Sequence, residues 1–176
     1  MVEPLGERKI KVMGLDMYLF LRKREYHSGS AWRPEAEKKL AKYPKELEAF
    51  EEEIKQVNFP SVSIDTDYQI GYWRKANAIH EWFVQNCADG VDECQDTYVS
   101  IEKAQELLNT CNKVLADHSL AESALPTQEG FFFGSQEYDN WYYEDVAYTK
   151  DLLEKILNFL KTTEGKCYRI VYCASW

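Results

Sequence analysis

The segment Gly71–Phe83 sets Tyr72, Trp73, Trp82 and Phe83 beside Arg74, Lys75, Asn77 and His80. Aromatic rings stack on planar molecules, a guanidinium or ammonium pairs with an anion, and an amide and an imidazole supply hydrogen bonds. Together these groups suit the binding of a planar, anionic small molecule. Read as one helix over residues 72–87, at about 100° per residue, the segment turns Tyr72, Ala76, Ile79, Phe83 and Cys87 toward the core. Trp73, Asn77, His80 and Val84 then fall along one flank, where Asn77 and His80 are neighbours at i and i+3. Two simpler readings stand beside this one. His80 is a boundary histidine bonded to a backbone carbonyl, with Asn77 as its companion. Arg74 and Lys75 are solvated, with Arg74 related to Glu81 at i,i+7.

Other stretches carry possible ligand contacts. Asp16 and Tyr18 lie on the second face of an expected first strand. From there Asp16 could meet His80, and an Asp–His pair is the minimum for general acid–base chemistry. In Gly130-Phe131-Phe132-Phe133-Gly134-Ser135, three successive rings cannot share one face of a strand. At least one ring must leave the domain's own core, unless both faces are covered. The run is then an aromatic wall for a bound ring, an oligomer contact, or a segment buried on both sides. Tyr138 and Asp139 follow, and Asp139 is placed to cap the last helix. The ligand-binding candidates are therefore Asp16, Tyr18, Trp73, Arg74, Lys75, Asn77, His80, Phe132, Tyr138 and Asp139. No phosphate-cradling glycine loop, metal-ligand spacing or nucleophile elbow is present, so neither cofactor nor metal is expected.

The elements that must hold these residues read as an α+β order. Met13–Arg24 alternates with period two and predicts a strand. Residues 1–12 read as a leader. From Pro34 to Val57, Leu40, Tyr43, Leu47, Phe50, Ile54 and Val57 recur in steps of three and four, the seam of a helical insertion or arm that needs a partner surface. Phe59–Ile70 reads as a short strand or extended connector, followed by the helix at 72–87 and an acidic loop over residues 86–97. Ser100 caps a helix that buries Ile101, Ala104, Leu108, Cys111 and Leu115. The last helix, residues 139–161, carries one stripe of Tyr142, Val146, Thr149, Leu153, Ile156 and Leu160. A neighbouring stripe of Trp141, Tyr148, Leu152 and Phe159 predicts contact with two surfaces. Cys167–Ala174 alternates as a final strand, the natural partner of the first. The expectation is one domain over residues 1–176: a small sheet of N- and C-terminal strands, about four helices, and the helical excursion at 34–57.

A net charge of −9 argues against a broad surface for extended nucleic acid or an anionic membrane, since either needs a basic field. A local basic pocket for one nucleotide is still allowed. Five cysteines without a C-x-x-C pair signal neither a disulfide framework nor zinc; thiols in a reducing cytosol are the simplest reading. No apolar stretch reaches the roughly 20 residues of a membrane span, and no signal-peptide region is visible, so a cytoplasmic location is expected.

The motifs Gly14-Leu15-Asp16-Met17-Tyr18-Leu19, Tyr72-Trp73-Arg74-Lys75-Ala76-Asn77-Ala78-Ile79-His80 and Gly130-Phe131-Phe132-Phe133-Gly134-Ser135, with Tyr138-Asp139, resemble a family of small proteins found in many tailed phages and prophages. The resemblance spans residue 13 to the C-terminus. It implies no particular enzymatic activity. A phage setting implies an accessory role, such as a homo-oligomeric sponge that holds a nucleotide-derived immune signal in the host cytoplasm without cleaving it. Two other classes stay open: a nucleotide-processing hydrolase that uses His80 and Asp16, and a protein–protein inhibitor of a host factor.

Overall fold

The computed structural model describes residues 14–28 and 61–176. The expected leader at 1–12 and helical excursion at 34–57 lie outside the described residues. Among the described residues, four strands form one antiparallel sheet in the order β2-β1-β4-β3. They are β1 (Asp16–Ser28), β2 (Ser61–Arg74), β3 (Thr97–Val99) and β4 (Tyr168–Ser175). The α-helices among the described residues are α1 (Asn77–Cys87), α2 (Ile101–Ala116), the single turn α3 (Ala121–Ala124) and α4 (Asn140–Leu160). The class is α+β, and the first and last strands are neighbours in the sheet.

Chain contacts divide the described residues into two units, 14–21 with 68–176, and 22–28 with 61–67. In the second unit, Arg22 and Arg24 on β1 each grip a carboxylate on β2 through two nitrogens. Arg22 Nε lies 2.7 Å from Asp67 Oδ1, and Arg24 Nε lies 2.6 Å from Asp65 Oδ1. These hydrogen bonds hold both carboxyls below the ordinary aspartate range.

The first unit holds the main core. Alternation from Leu15 into β1 buries Leu15, Met17, Leu19 and Leu21 on one face, which packs with α1, α2 and α4. Each fully buried side chain of this kind contributes about 1.5–3 kcal/mol. Phe83 of α1 stacks on Tyr172 of β4 with ring centroids 4.1 Å apart. Ser100 Oγ accepts from the Lys103 N–H at 3.1 Å, and Asp139 Oδ1 accepts from the Tyr142 N–H at 3.1 Å, so both expected caps are made. Helix α2 buries Ala104, Leu107, Leu108, Cys111 and Val114, whereas Ile101 is exposed. The buried face is thus rotated toward Leu107 and Val114, away from the expected Ile101 and Leu115. All five thiols are free, and burial pushes the Cys111 thiol up to about 12.

Two departures from the expected elements matter for the site. Strand β2 runs on through Tyr72, Trp73 and Arg74, and α1 begins only at Asn77. Pairing with β1 overrides the helical spacing here. Tyr72 meets Tyr18 with ring centroids 5.5 Å apart, while Gly71 and Trp73 turn toward the core. Gly71 lets α4 come close, because a Cβ there would lie 2.5 Å from Leu152 Cδ2. Strand β3, read as the end of a loop, is an edge strand of three residues that pairs Thr97 with Tyr172 and Val99 with Ile170. So short a strand leaves no period to detect.

Candidate functional site

A cavity of about 570 Å³ opens where the end of β2 and the start of α1 face the first two turns of α4. That volume suits a small molecule, for which pockets run to about 300–1,000 Å³. The walls differ in charge. Tyr72, Arg74 and Lys75 supply the β2 side. Glu137, Asp139, Glu144 and Asp145 supply acid on and before α4, with Trp141 and Tyr148 on the same helix. Thr127, Gly134 and Ser135 come from the loop between α3 and α4.

The basic wall depends on an unusual corner. Lys75 has φ +63°, in the left-handed region that ordinary side chains avoid. Its N–H donates to the Leu15 carbonyl at 2.8 Å, and its carbonyl accepts from the Asn77 N–H at 2.9 Å. These bonds let the chain leave the strand and enter α1 within two residues. Two glycines make room for the cations. A Cβ at Gly14 would stand 3.3 Å from Lys75 Cε and 3.4 Å from Arg74 Nη2. Gly134 has φ +91°, and a Cβ there would lie 2.9 Å from Lys75 Cβ. Gly14 and Gly134 thus contribute to the site through the side chains they do not carry.

Arg74 lies on the Asp16 carboxylate, with Nη1 3.8 Å from Oδ1, and its side chain is 44% exposed. The Tyr72 hydroxyl donates to the same Asp16 oxygen at 2.5 Å, which raises the phenol's pKa, with burial adding to the rise. Asp16 is itself buried and serves as the anchor of this corner.

On the acidic wall, Asp145 is half-buried on α4 next to Glu144 and near the capping Asp139. Desolvation first, then those two like charges, push its carboxyl up to about 6. Its backbone carbonyl accepts from Thr149 Oγ1, and no side chain among the described residues donates to its carboxylate. Trp141, one helical turn earlier, is 75% exposed and offers an indole face at the rim.

Five of the ten candidates line this cavity: Trp73, Arg74, Lys75, Asn77 and Asp139. Two of the five are committed inward. Trp73 is only 2% exposed, and its Nε1 donates to Thr149 Oγ1 at 2.9 Å, so it forms the floor rather than a stacking face. Asn77 donates to the Phe133 and Ser135 carbonyls at 3.1 and 2.7 Å and accepts from the Gln128 N–H at 3.1 Å. Its amide thereby staples the 127–135 loop onto α1.

The other five candidates lie outside the cavity lining. His80 is 1% exposed, with Nδ1 2.7 Å from the Tyr172 hydroxyl and Nε2 3.1 Å from Asp92 Oδ2. Rings of Phe133 and Trp176 close over it at 5.1 and 5.8 Å. The anticipated Asp16–His80 pair is therefore not made, because both ring nitrogens face Tyr172 and Asp92 while Asp16 holds Tyr72 and Arg74. Tyr18 packs between Phe20 and Tyr72. Tyr138 packs edge-on against Tyr142, and its hydroxyl lies 3.4 Å from the Thr127 nitrogen. The aromatic run is a turn, with Phe131 96% exposed, Phe133 packed on the core, and the Phe132 carbonyl accepting from the Leu15 N–H at 3.1 Å.

Tyr72, Trp141, Glu144, Asp145 and Tyr148 were not among the expected site residues. A signal for the α4 members was present: Trp141, Glu144, Asp145 and Tyr148 fall at i, i+3, i+4 and i+7 on one stripe. The upper half of that stripe faces the cavity, and the lower half, Leu152 and Phe159, packs on the core. Among the described residues there is no group of three or more His, Cys, Asp or Glu suited to a metal ion, and no helix long and apolar enough to cross a membrane. No protein-family model, curated protein or solved structure matches the chain.

Proposed function

We propose that this protein binds a small nucleotide-like molecule in the cavity between β2 and α4 and holds it unchanged. The observation that carries this reading is the cavity's composition: two cations on one wall, carboxylates on the other, and an exposed indole at the rim. A phosphate would pair with Arg74 and Lys75. Ribose hydroxyls and ring N–H groups would donate to carboxylates on the α4 side. The ring itself would lie on Trp141, where each good stack is worth about 1–3 kcal/mol. In the tailed-phage setting that the sequence resemblance implies, such a protein acts as a sponge that lowers the free concentration of a host immune signal.

The test is recovery of the ligand. The protein is incubated with a mixture of mono-, di- and cyclic nucleotides, passed through a desalting column and denatured, and the released material is identified. One nucleotide species retained and released intact supports the reading. Product accumulating with turnover establishes an enzyme instead, and retention of nothing removes the nucleotide.

A second reading, a protein–protein role that includes self-assembly, is favoured by one observation. The Phe131 ring is 96% exposed, braced edge-on by Phe132 at 4.8 Å. Aromatic side chains, Phe included, are enriched at the centres of protein interfaces. Pull-down of a protein partner lost in Phe131→Ala, with no thermal shift from any nucleotide, would favour it.

A further inference from the structure

The carboxylates outnumber the cations around this cavity, so a purely anionic ligand would satisfy only part of it. Asp145 is the sharpest case. It sits in the cavity wall on a helix packed against the core, beside Glu144 and near Asp139, and receives no hydrogen bond from a side chain among the described residues. Arg74 and Lys75 belong to the opposite wall, and Arg74 already lies against Asp16. A partly desolvated carboxylate is best satisfied by donors that arrive with a ligand. Its two oxygens lie in one plane and accept two parallel N–H bonds, the geometry that makes paired donors on a planar group its strongest partner. The indole of Trp141, one turn away on the same stripe of α4, is available to the flat face of such a group.

We propose that Asp145 reads the edge of the bound molecule, receiving two adjacent, parallel N–H donors of a planar group that stacks on Trp141. The inference rests on the nucleotide reading above for the rest of the molecule, but the donor pair itself has two sources. One is a guanine-type base, with its ring N–H beside its exocyclic amino group. The other is a free amidinium or guanidinium compound. An adenine-type edge fits poorly, because its ring nitrogen is an acceptor and would face the carboxylate.

Titration calorimetry on the full chain separates these outcomes, using guanosine, inosine and adenosine monophosphates and benzamidine as probes. The unmodified protein should bind the guanosine compound about tenfold more tightly than the inosine one, which lacks the amino group. It should bind the guanosine compound about a hundredfold more tightly than the adenosine one, as one and two lost donors dictate. Asp145→Asn keeps the side chain's size but exchanges one acceptor for a donor, so it should abolish the preference for the guanosine compound. The comparison among nucleotides in the unmodified protein stands whether or not the variant folds. Adenosine and guanosine compounds bound equally by the unmodified protein would overturn the inference while leaving nucleotide binding in place. Benzamidine bound in an Asp145-dependent way, with no nucleotide bound, would uphold the donor-pair inference and overturn the nucleotide reading. Binding of none of the four overturns both.

Discussion

A carboxylate beside Glu144 and near Asp139 on a partly desolvated helix turn loses hydration and gains repulsion, and the folded chain therefore holds the Asp145 proton more tightly than the unfolded chain does. Folded Asp145 titrates at about 6, against the ordinary 3.8, so the unfolded chain sheds its proton first as pH rises. Below both values the group costs nothing. Above about pH 6 the folded state carries the whole penalty. Asp145→Asn should consequently raise the unfolding temperature by a few degrees near pH 8, about 1–2 kcal/mol after allowance for solvent reaching the group, and change it little near pH 3.5. Equal shifts at the two pH values, measured by calorimetry, would contradict this. Asn77 makes the opposite case, a buried amide with its bonds filled. Asn77→Ala removes the partners of two carbonyls and one N–H, at a cost of about 2–4 kcal/mol. The denaturant midpoint should fall accordingly, and proteolytic cleavage within residues 127–135 should accelerate. At this scale the caps were legible, since Ser100 and Asp139 each precede a helical period. The burial of Trp73 and His80 was not, because it depends on Thr149 and Tyr172, which lie far away in sequence, and on how the acidic loop brings back Asp92.

Among the elements, the decisive one is the junction of β2 and α1. Tyr72-Trp73-Arg74 fits a helical wheel and a strand alternation equally well, and aromatic residues favour the strand once a partner is beside them. The partner is β1, whose Asp16 and Tyr18 meet Tyr72; nothing within residues 71–83 reveals it. Strain at Lys75 follows from this geometry. Lys75→Gly removes the left-handed penalty and should stabilise the fold by up to about 1 kcal/mol, while weakening nucleotide binding through loss of the ammonium. Gly134→Ala should do the reverse to the fold, costing about 1–3 kcal/mol, because it adds a side chain at φ +91° against Lys75. Denaturant midpoints of the two variants check both signs. The stripe along α4 was also visible in the sequence, but periodicity alone does not tell a face that packs from one that borders a cavity.

On the scale of the molecule, the α+β order could be read from two alternating end segments and the helical periods between them, and β1 and β4 do lie side by side. The cavity could not be read in that way, since its walls come together only when β2 and α4 meet across the core. Its mixed charge also changes the picture drawn from a net charge of −9, because the acid excess continues into the site instead of giving way to a basic pocket. We propose that this recess takes one small planar molecule between the Arg74 and Asp145 walls. Native mass spectrometry of the protein mixed with nucleotides tests it most directly, comparing the unmodified chain with an Arg74→Ala, Trp141→Ala double variant. One added nucleotide mass per chain is expected on the unmodified protein, and none on the double variant. The same adduct retained by that variant, or no adduct on the unmodified chain, would contradict it.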